Sequence, residues 1–510
     1  MSWPLWAVAV STVPLVLLAV MVLRSMPVTR SAWIAVGVAG VLALVVFGLD
    51  LGELAVAMLR GTWTGTWILL IVLPSLFLYE ILDRSGALEQ LAQASDQIAP
   101  TEGRRLLLIA WVFPSFLQGV AGFGAPIAMS APLLVRRGMP PVAAVAACMI
   151  GYQWSVTFGS MGSSYFMAEA TARLAEPDAR VFATRTAITL GITAIVSGLI
   201  VLTRGVRSAG DTWRALVIGV IMAATLFVVV SVQPALGSTA AGLVGLGVCW
   251  WLLPARGQPR PGGGDLGVAA LPYIVLSVAA VTGLWFPPVR SLFERVPAFA
   301  PVLPGVEAAF GYQQAASAVT PTFRPLLHPF VYMLLAIAVG LVVYRRKGWW
   351  DASKTQQAAR SWAKRSANVA RSIIGLTVLA AILTDAGMVS ALAQALAATL
   401  GIGFVAVSAP LGAFGTILTG STTASNALFS ALQSQVASVL ALLPAVLLVG
   451  QTSGGNIGNA LAPGVATVGL ASTGATTQEG AVIRHNLGSA TILMVIATLL
   501  VVAQVWMLRA

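Results

Sequence analysis

The chain has 510 residues, 58% of them hydrophobic and only 9% charged, with a formal net charge of +12. No water-soluble fold hides that much apolar surface, so the bilayer is the solvent. The basic excess does not mark a nucleic-acid binder, because it is concentrated in a few short loops.

Apolar stretches long enough to cross a bilayer as helices recur from end to end. They predict twelve spans, at 4–23, 31–49, 63–82, 140–168, 186–203, 213–232, 236–253, 268–285, 325–344, 370–390, 443–470 and 487–508. The first has no basic residue before it and no small-residue cleavage site after it, so it reads as a retained helix. Cys148 and Cys249 fall inside spans without metal-ligand company and read as packing residues. No HExxH, GxSxG or Cys/His cluster is present to carry enzyme chemistry or a cofactor.

The loops set an orientation. Between Arg345 and Arg371 the chain carries Arg346, Lys347, Lys354, Arg360, Lys364 and Arg365 as well, against Asp351 alone, which marks that loop as cytoplasmic. Counting outward, the loops with Arg24 and Arg30, with Arg204, Arg207 and Arg214, and with Arg256 and Arg260 also fall inside. Asp50 and Glu53 fall outside, and both termini are expected outside.

Residues 81–94, ILDRSGALEQLAQA, and 382–395, ILTDAGMVSALAQA, agree at seven of fourteen positions, an offset of 301. Gly151 and Gly159 find counterparts in Gly450 and Gly458. Spans one to five then pair with spans eight to twelve, and an odd shift of seven spans inverts the second copy in the membrane. The expected organisation is a first inverted repeat over 1–203, linking helices over 204–267 and a second repeat over 268–510. Such repeats suit alternating access.

Leu106 to Val135 is too long for one straight span, and its middle carries Gly119, Gly122, Gly124 and Pro126. A re-entrant hairpin fits, with Arg104, Arg105, Arg136 and Arg137 on one side, and 411–440 is expected to match it from the opposite side. Each hairpin precedes a span interrupted by small and polar residues: Gly151 through Gly162, and Gly450 through Asn459. Irregular backbone at membrane depth is tolerated only inside protein or beside a watery cavity. Half-helix N-termini there offer N–H donors to an anion, with Pro126 suited to a first turn and Ser421, Thr422 and Thr423 suited to caps. The competing reading of the glycines is close helix packing.

The segments QGVAGFGAP at 118–126, GSTTASNALF at 420–429 and QTSGG at 451–455 resemble the lactate permease family, and the likeness extends to Arg484, His485 and Leu487. Thr422, Asn459 and Gly464 depart from that family's pattern. The resemblance implies proton-coupled symport of lactate, glycolate or related 2-hydroxy monocarboxylates. It also implies a scaffold with a moving, hairpin-bearing transport domain, elevator-like and often dimeric.

The expectation is thus an all-α polytopic inner-membrane protein with about twelve membrane helices plus two re-entrant hairpins in two inverted repeats. It would be a carrier and not an enzyme, without cofactor, in contact with lipids, as a homodimer by resemblance, and would bind no nucleic acid. The substrate is expected against Gln118, Gly122, Phe123, Gly124, Gln153, Ser421, Thr422, Ser425, Asn426, Thr452, Ser453 and Asn456. Glu80, Asp385 and His485 are the candidates for coupling to protons, with sodium as the alternative ion. A different organic anion, such as a dicarboxylate or a sulfur-containing acid, is the alternative cargo.

Overall fold

The computed structural model describes residues 3–122, 124–206, 208–254, 263–318, 321–475 and 477–509. Phe123, Arg207, Arg256 and Arg260, singled out above, lie outside the described residues. Helices α1 (Leu5–Leu23) and α2 (Val28–Val45) form a pair joined by a short turn. Helix α3 (Leu51–Arg84) starts earlier than the third expected span, because Asp50 and Glu53 build a capping box. Asp50 Oδ1 accepts from the Glu53 N–H at 2.7 Å and Glu53 Oε2 from the Asp50 N–H at 2.8 Å. It ends at Gly86, whose φ of 77° needs a glycine, and α4 (Ala87–Gln97) follows.

Helix α5 (Glu102–Arg105) runs through a π-helical turn, Leu106–Val112, into α6 (Phe113–Ala121). Pro114 accounts for the π-turn: it has no N–H to give the Ala110 carbonyl and clashes with a regular turn. That carbonyl faces Gly151, where a Cβ would collide with it. Helix α6 stops before Gly122, and beyond Gly124 α7 (Ala125–Arg136) turns back along Leu106–Val112. Helix α8 (Pro141–Tyr152), short 3-10 turns at Gln153–Ser155 and Ser160–Gly162, and α9 (Ser163–Ala172) make one apolar unit bent by 45°. Helices α10 (Glu176–Leu202), α11 (Ala209–Val230) and α12 (Gly237–Leu252) follow.

The second half of the chain follows. Helix α13 (Gly263–Leu284) leads through α14 (Pro287–Glu294) and two antiparallel strand pairs, β1 (Val302–Leu303) with β4 (Ser317–Ala318) and β2 (Val306–Ala308) with β3 (Tyr312–Gln314), to α15 (Pro329–Arg346). The strands, which the sequence did not signal, lie over α2 and α3: Ala309 N–H donates to Phe47 O at 2.6 Å and Trp63 Nε1 to Pro321 O at 3.0 Å. Helix α16 (Ala352–Asp385) has 34 residues, the length of α3, and likewise ends at a left-handed glycine, Gly387, before α17 (Met388–Leu400). Its early start, ahead of the span expected at 370, follows from the Asp351 cap on the Lys354 N–H at 2.9 Å.

Helices α18 (Phe404–Thr419) and α19 (Thr422–Val439) fold back on each other, with Ser425 Oγ donating to Gly412 O at 2.8 Å and Gln433 Nε2 to Ser408 O at 2.9 Å. Helices α20 (Pro444–Asn459), α21 (Pro463–Ser472) and α22 (Glu479–Arg509) complete the chain. Among the described residues eleven helices are long and apolar enough to cross a membrane, or twelve with the bent unit. Of the spanning window of α3, 67% is buried against 22% of α1, so α3 belongs to the protein interior and α1 to the lipid-facing rim.

At the centre α3 and α16 run antiparallel. Gly61 and Gly65 allow the approach, since a Cβ at either would come within 2.6 Å of Thr377. Ion pairs pin both ends: Arg60 with Asp385 at one, Arg365 with Glu80 at 3.3 Å at the other.

Candidate functional site

Two chain reversals, one in each half, approach a single cavity. At the first, Gly122 leaves the helical region and Gly124 has a φ of 90°, a conformation that excludes side chains. Pro126 sits in the first turn of α7, where its missing N–H is not needed. At the second, Gly420 has a φ of 71°, and Ser421 caps α19 by accepting from the Ala424 N–H at 3.3 Å. Between the reversals lies a cavity of about 370 Å³, lined by Gln118, Gly124 and Gly420 to Thr423. The interrupted helices supply Tyr152, Ser160, Ser163 and Asn459, and α16 supplies Arg365 and Asn368.

The wall mixes these polar groups with apolar side chains, Leu76, Val156, Val369, Val465 and Val468. Among the described residues that line it, Arg365 alone is charged. Thr422 lines the cavity, and its Oγ1 is buried without a hydrogen-bond partner. Tyr152 OH accepts from Asn459 Nδ2 at 3.2 Å. A small pocket of this kind, with helix starts, hydroxyls and one guanidinium converging, suits a small monovalent anion.

The two halves also interlock behind the cavity. Where the chain breaks after Tyr152, the carbonyls of Trp154 and Ser155 lose their helical partners. Asn456 Nδ2 donates to Trp154 O at 3.1 Å and Ser238 Oγ to Ser155 O at 2.7 Å. Thr157 Oγ1 gives its proton to Asn456 Oδ1 at 2.8 Å and lies 2.9 Å from Thr452 Oγ1. Asn426 Nδ2 donates to Ser164 O at 2.9 Å and Thr452 Oγ1 at 3.1 Å, and Gln451 Nε2 to Ser425 Oγ at 3.0 Å.

Of the twelve residues expected at the site, Gln118, Gly124, Ser421 and Thr422 line the cavity. Gly122 is at the first reversal, and Phe123 is outside the described residues. Asn426, Ser425, Thr452 and Asn456 belong to the buried network, Ser453 is buried beside them, and Gln153 donates to Ser197 Oγ at 3.1 Å on α10. The sequence placed irregular backbone at 450–459; that is a correction, since the segment is continuous α-helix and the break falls at 460–462. Its glycines serve packing: a Cβ at Gly450, Gly454 or Gly458 would collide with Ser408, Ala409 or Ala413 on α18.

Glu80 accepts from Arg84 Nε at 3.0 Å and Ser361 Oγ at 2.7 Å besides pairing with Arg365. Asp385 is wholly buried between Arg60 and Arg173, the latter at 2.9 Å. His485 is exposed, with its carbonyl taken by Arg204 Nη1 at 3.0 Å, and is not among the cavity residues. The sequence reading missed Arg365, Asn368, Tyr152, Ser160, Ser163 and Asn459 as cavity residues. Arg365 was counted only as a marker of orientation, because the span was expected to begin at 370 and not at Ala352.

Apolar helices packed around an internal cavity with polar groups in its wall define a multi-pass membrane protein. The profile of the L-lactate permease family matches residues 7–508, and the chain belongs to that family. It is an inner-membrane protein. It is 28% identical to the L-lactate permease of Escherichia coli strain K12, over 94% of this chain and 92% of that one. It is equally 28% identical to the glycolate permease GlcA of the same strain, over 84% and 82%. Among solved structures it is similar to the YdaH transporter of Alcanivorax borkumensis, with a TM-score of 0.46 and 15% identity over 87% of this chain and 86% of that one.

Proposed function

We propose that this protein imports small 2-hydroxy monocarboxylates, lactate and glycolate foremost, by proton symport. The anion is held in the cavity between the two chain reversals. The observation that carries this reading is that both reversals and both interrupted helices border one cavity where, among the described lining residues, Arg365 alone is charged. One cation matches one carboxylate, and Thr422, Ser421 and Gln118 give the neutral donors that a hydroxyl beside it needs. The printed names of the relatives, lactate and glycolate permeases, point the same way.

Alternating access through inverted repeats over 1–203 and 268–510 is supported by α3 and α16, equal in length and antiparallel at the centre. In this reading the folded-back pairs α6–α7 and α18–α19 are re-entrant hairpins of a moving domain, in a homodimer. Glu80 is the favoured proton carrier of the three coupling candidates, because it alone contacts a cavity residue.

The test is that purified protein in liposomes should accumulate labelled lactate or glycolate when given an inward proton gradient. Unlabelled dicarboxylates and sulfur-containing acids, offered with and without sodium, compete weakly. No uptake of any 2-hydroxy acid would sink the substrate assignment, and accumulation that follows sodium instead of protons would replace the coupling ion.

A further inference from the structure

Arg365 belongs to two sites at once. Arg365 lines the cavity, and its Nη1 lies 3.3 Å from Glu80 Oε1. Its hold on Glu80 is the loosest of three. Glu80 Oε2 is taken by Arg84 Nε at 3.0 Å, and Oε1 also by Ser361 Oγ at 2.7 Å. The Arg365 side chain is 39% exposed whereas that of Glu80 is 4% exposed. If the guanidinium turned away, the carboxylate would keep Arg84 and Ser361, so the departure strands no buried charge. Arg365 would keep the face of Tyr79, 5.2 Å from its Cζ. Asn368, nearly one turn along the same helix, faces the same cavity and offers a further donor.

From this geometry we propose that Arg365 is the residue that takes the substrate carboxylate, and that Glu80 is the internal competitor that ties this binding to a proton. The inference rests on the proposed anion-symport function and names how its two ligands are coupled. While Glu80 is ionised it competes with the incoming anion for the guanidinium. A proton on Glu80 cancels that competition, and an anion on Arg365 in turn takes from Glu80 one of its cationic partners. Proton and anion therefore promote each other's binding, as linkage requires, and a carrier that moves only when both or neither is bound is a symporter.

Few other charges act on Glu80. Asp83 and Arg84 are on its own helix with Tyr79, and Gln357 of α16 accepts from Arg84 Nη1 at 3.2 Å. Glu89 on α4 is engaged by Arg136 of α7 at 2.9 Å, which holds its carboxyl below the usual range. Tyr344 on α15 gives its hydroxyl to Ala269 O, and Tyr273 on α13 is buried.

The test uses the full-length protein in liposomes, with lactate counterflow measured at acid and neutral pH for the wild type and for Glu80→Gln, Arg365→Lys and Arg365→Gln. Wild-type affinity for lactate rises about tenfold on acidification, within the usual range of such couplings. Glu80→Gln makes the affinity independent of pH and abolishes accumulation driven by a proton gradient. Measurable counterflow then reports that this variant is folded. Arg365→Gln raises the lactate KM about tenfold or more with a smaller effect on maximal rate, and Arg365→Lys restores part of it. A Glu80→Gln protein that still concentrates lactate against a gradient, or an Arg365→Gln protein with wild-type KM, overturns the proposal. A wild-type protein that exchanges no 2-hydroxy acid overturns the substrate reading itself, and is told apart because the failure precedes any substitution.

Discussion

Thr157 and Asn456 meet across the two halves of the chain, with the Thr157 hydroxyl donating to Asn456 Oδ1 at 2.8 Å. The contact closes a chain of bonds in which a side chain of one half repairs the broken backbone of the other, since Asn456 Nδ2 in turn serves the Trp154 carbonyl. Both residues are fully buried, so no water replaces a lost partner at low cost.

Asn456→Ala is therefore expected to cost about 1–3 kcal/mol, the range for leaving a buried polar group unpaired. Thr157→Val, which removes one donor, is expected to cost less, about 1 kcal/mol. Thermal unfolding of the two purified variants in detergent ranks them, and an Asn456→Ala protein that melts with the wild type would remove this bond from the account of the break.

The glycines of α20 give a sharper contrast. Gly454 approaches α18 so closely that a Cβ would collide with the Ala409 carbonyl, while Gly247 on α12 has nothing within 4 Å. Gly454→Ala should destabilise by about 1–3 kcal/mol through overpacking. Gly247→Ala should be neutral or stabilise by up to about 1 kcal/mol through helix propensity. Parallel melting curves decide; equal shifts would mean that α18 and α20 separate more easily than their contact implies.

Gly122→Leu carries the test of the first reversal. A Cβ there would collide with Ser160 Oγ and come within 2.9 Å of Gln118 Nε2, both at the cavity side. Uptake is expected to fall to background while membrane insertion and monodispersity stay intact. Normal transport by this variant would take the reversal at Gly122 and Gly124 out of the binding site.

These contrasts also mark what the sequence could disclose. Membrane class followed from composition alone, and the matched glycines of the two similar segments, Gly86 and Gly387, hold left-handed turns that few other residues could take. The break at 122–124 was legible for the same reason, glycine followed by proline. The segment 450–459 misled because glycine with polar residues describes equally an open backbone and a tightly packed helix. Only the position of Ala409 and Ser408 on α18, set by the tertiary fold, separates the two. Arg365 was hidden by its neighbours: in a run of basic residues the one that turns inward has no local mark. Thr157 drew no notice because its value lies in a partner 299 residues away.

Asp385 supplies the last test. Its carboxylate is wholly buried between Arg60 on α3 and Arg173 at the end of α9, so two guanidinium groups share one negative charge. Removing that charge leaves both without compensation, whereas removing Arg173, whose side chain is 30% exposed, leaves a one-to-one pair. Asp385→Asn is thus expected to cost about 3–5 kcal/mol, as for other buried pairs that lose one member. Arg173→Gln should cost clearly less, and the double variant should recover part of the Asp385→Asn loss because one of the uncompensated cations is gone. Melting temperatures of the three proteins close the cycle, and a Asp385→Asn protein as stable as Arg173→Gln would show that solvent or lipid already screens this cluster.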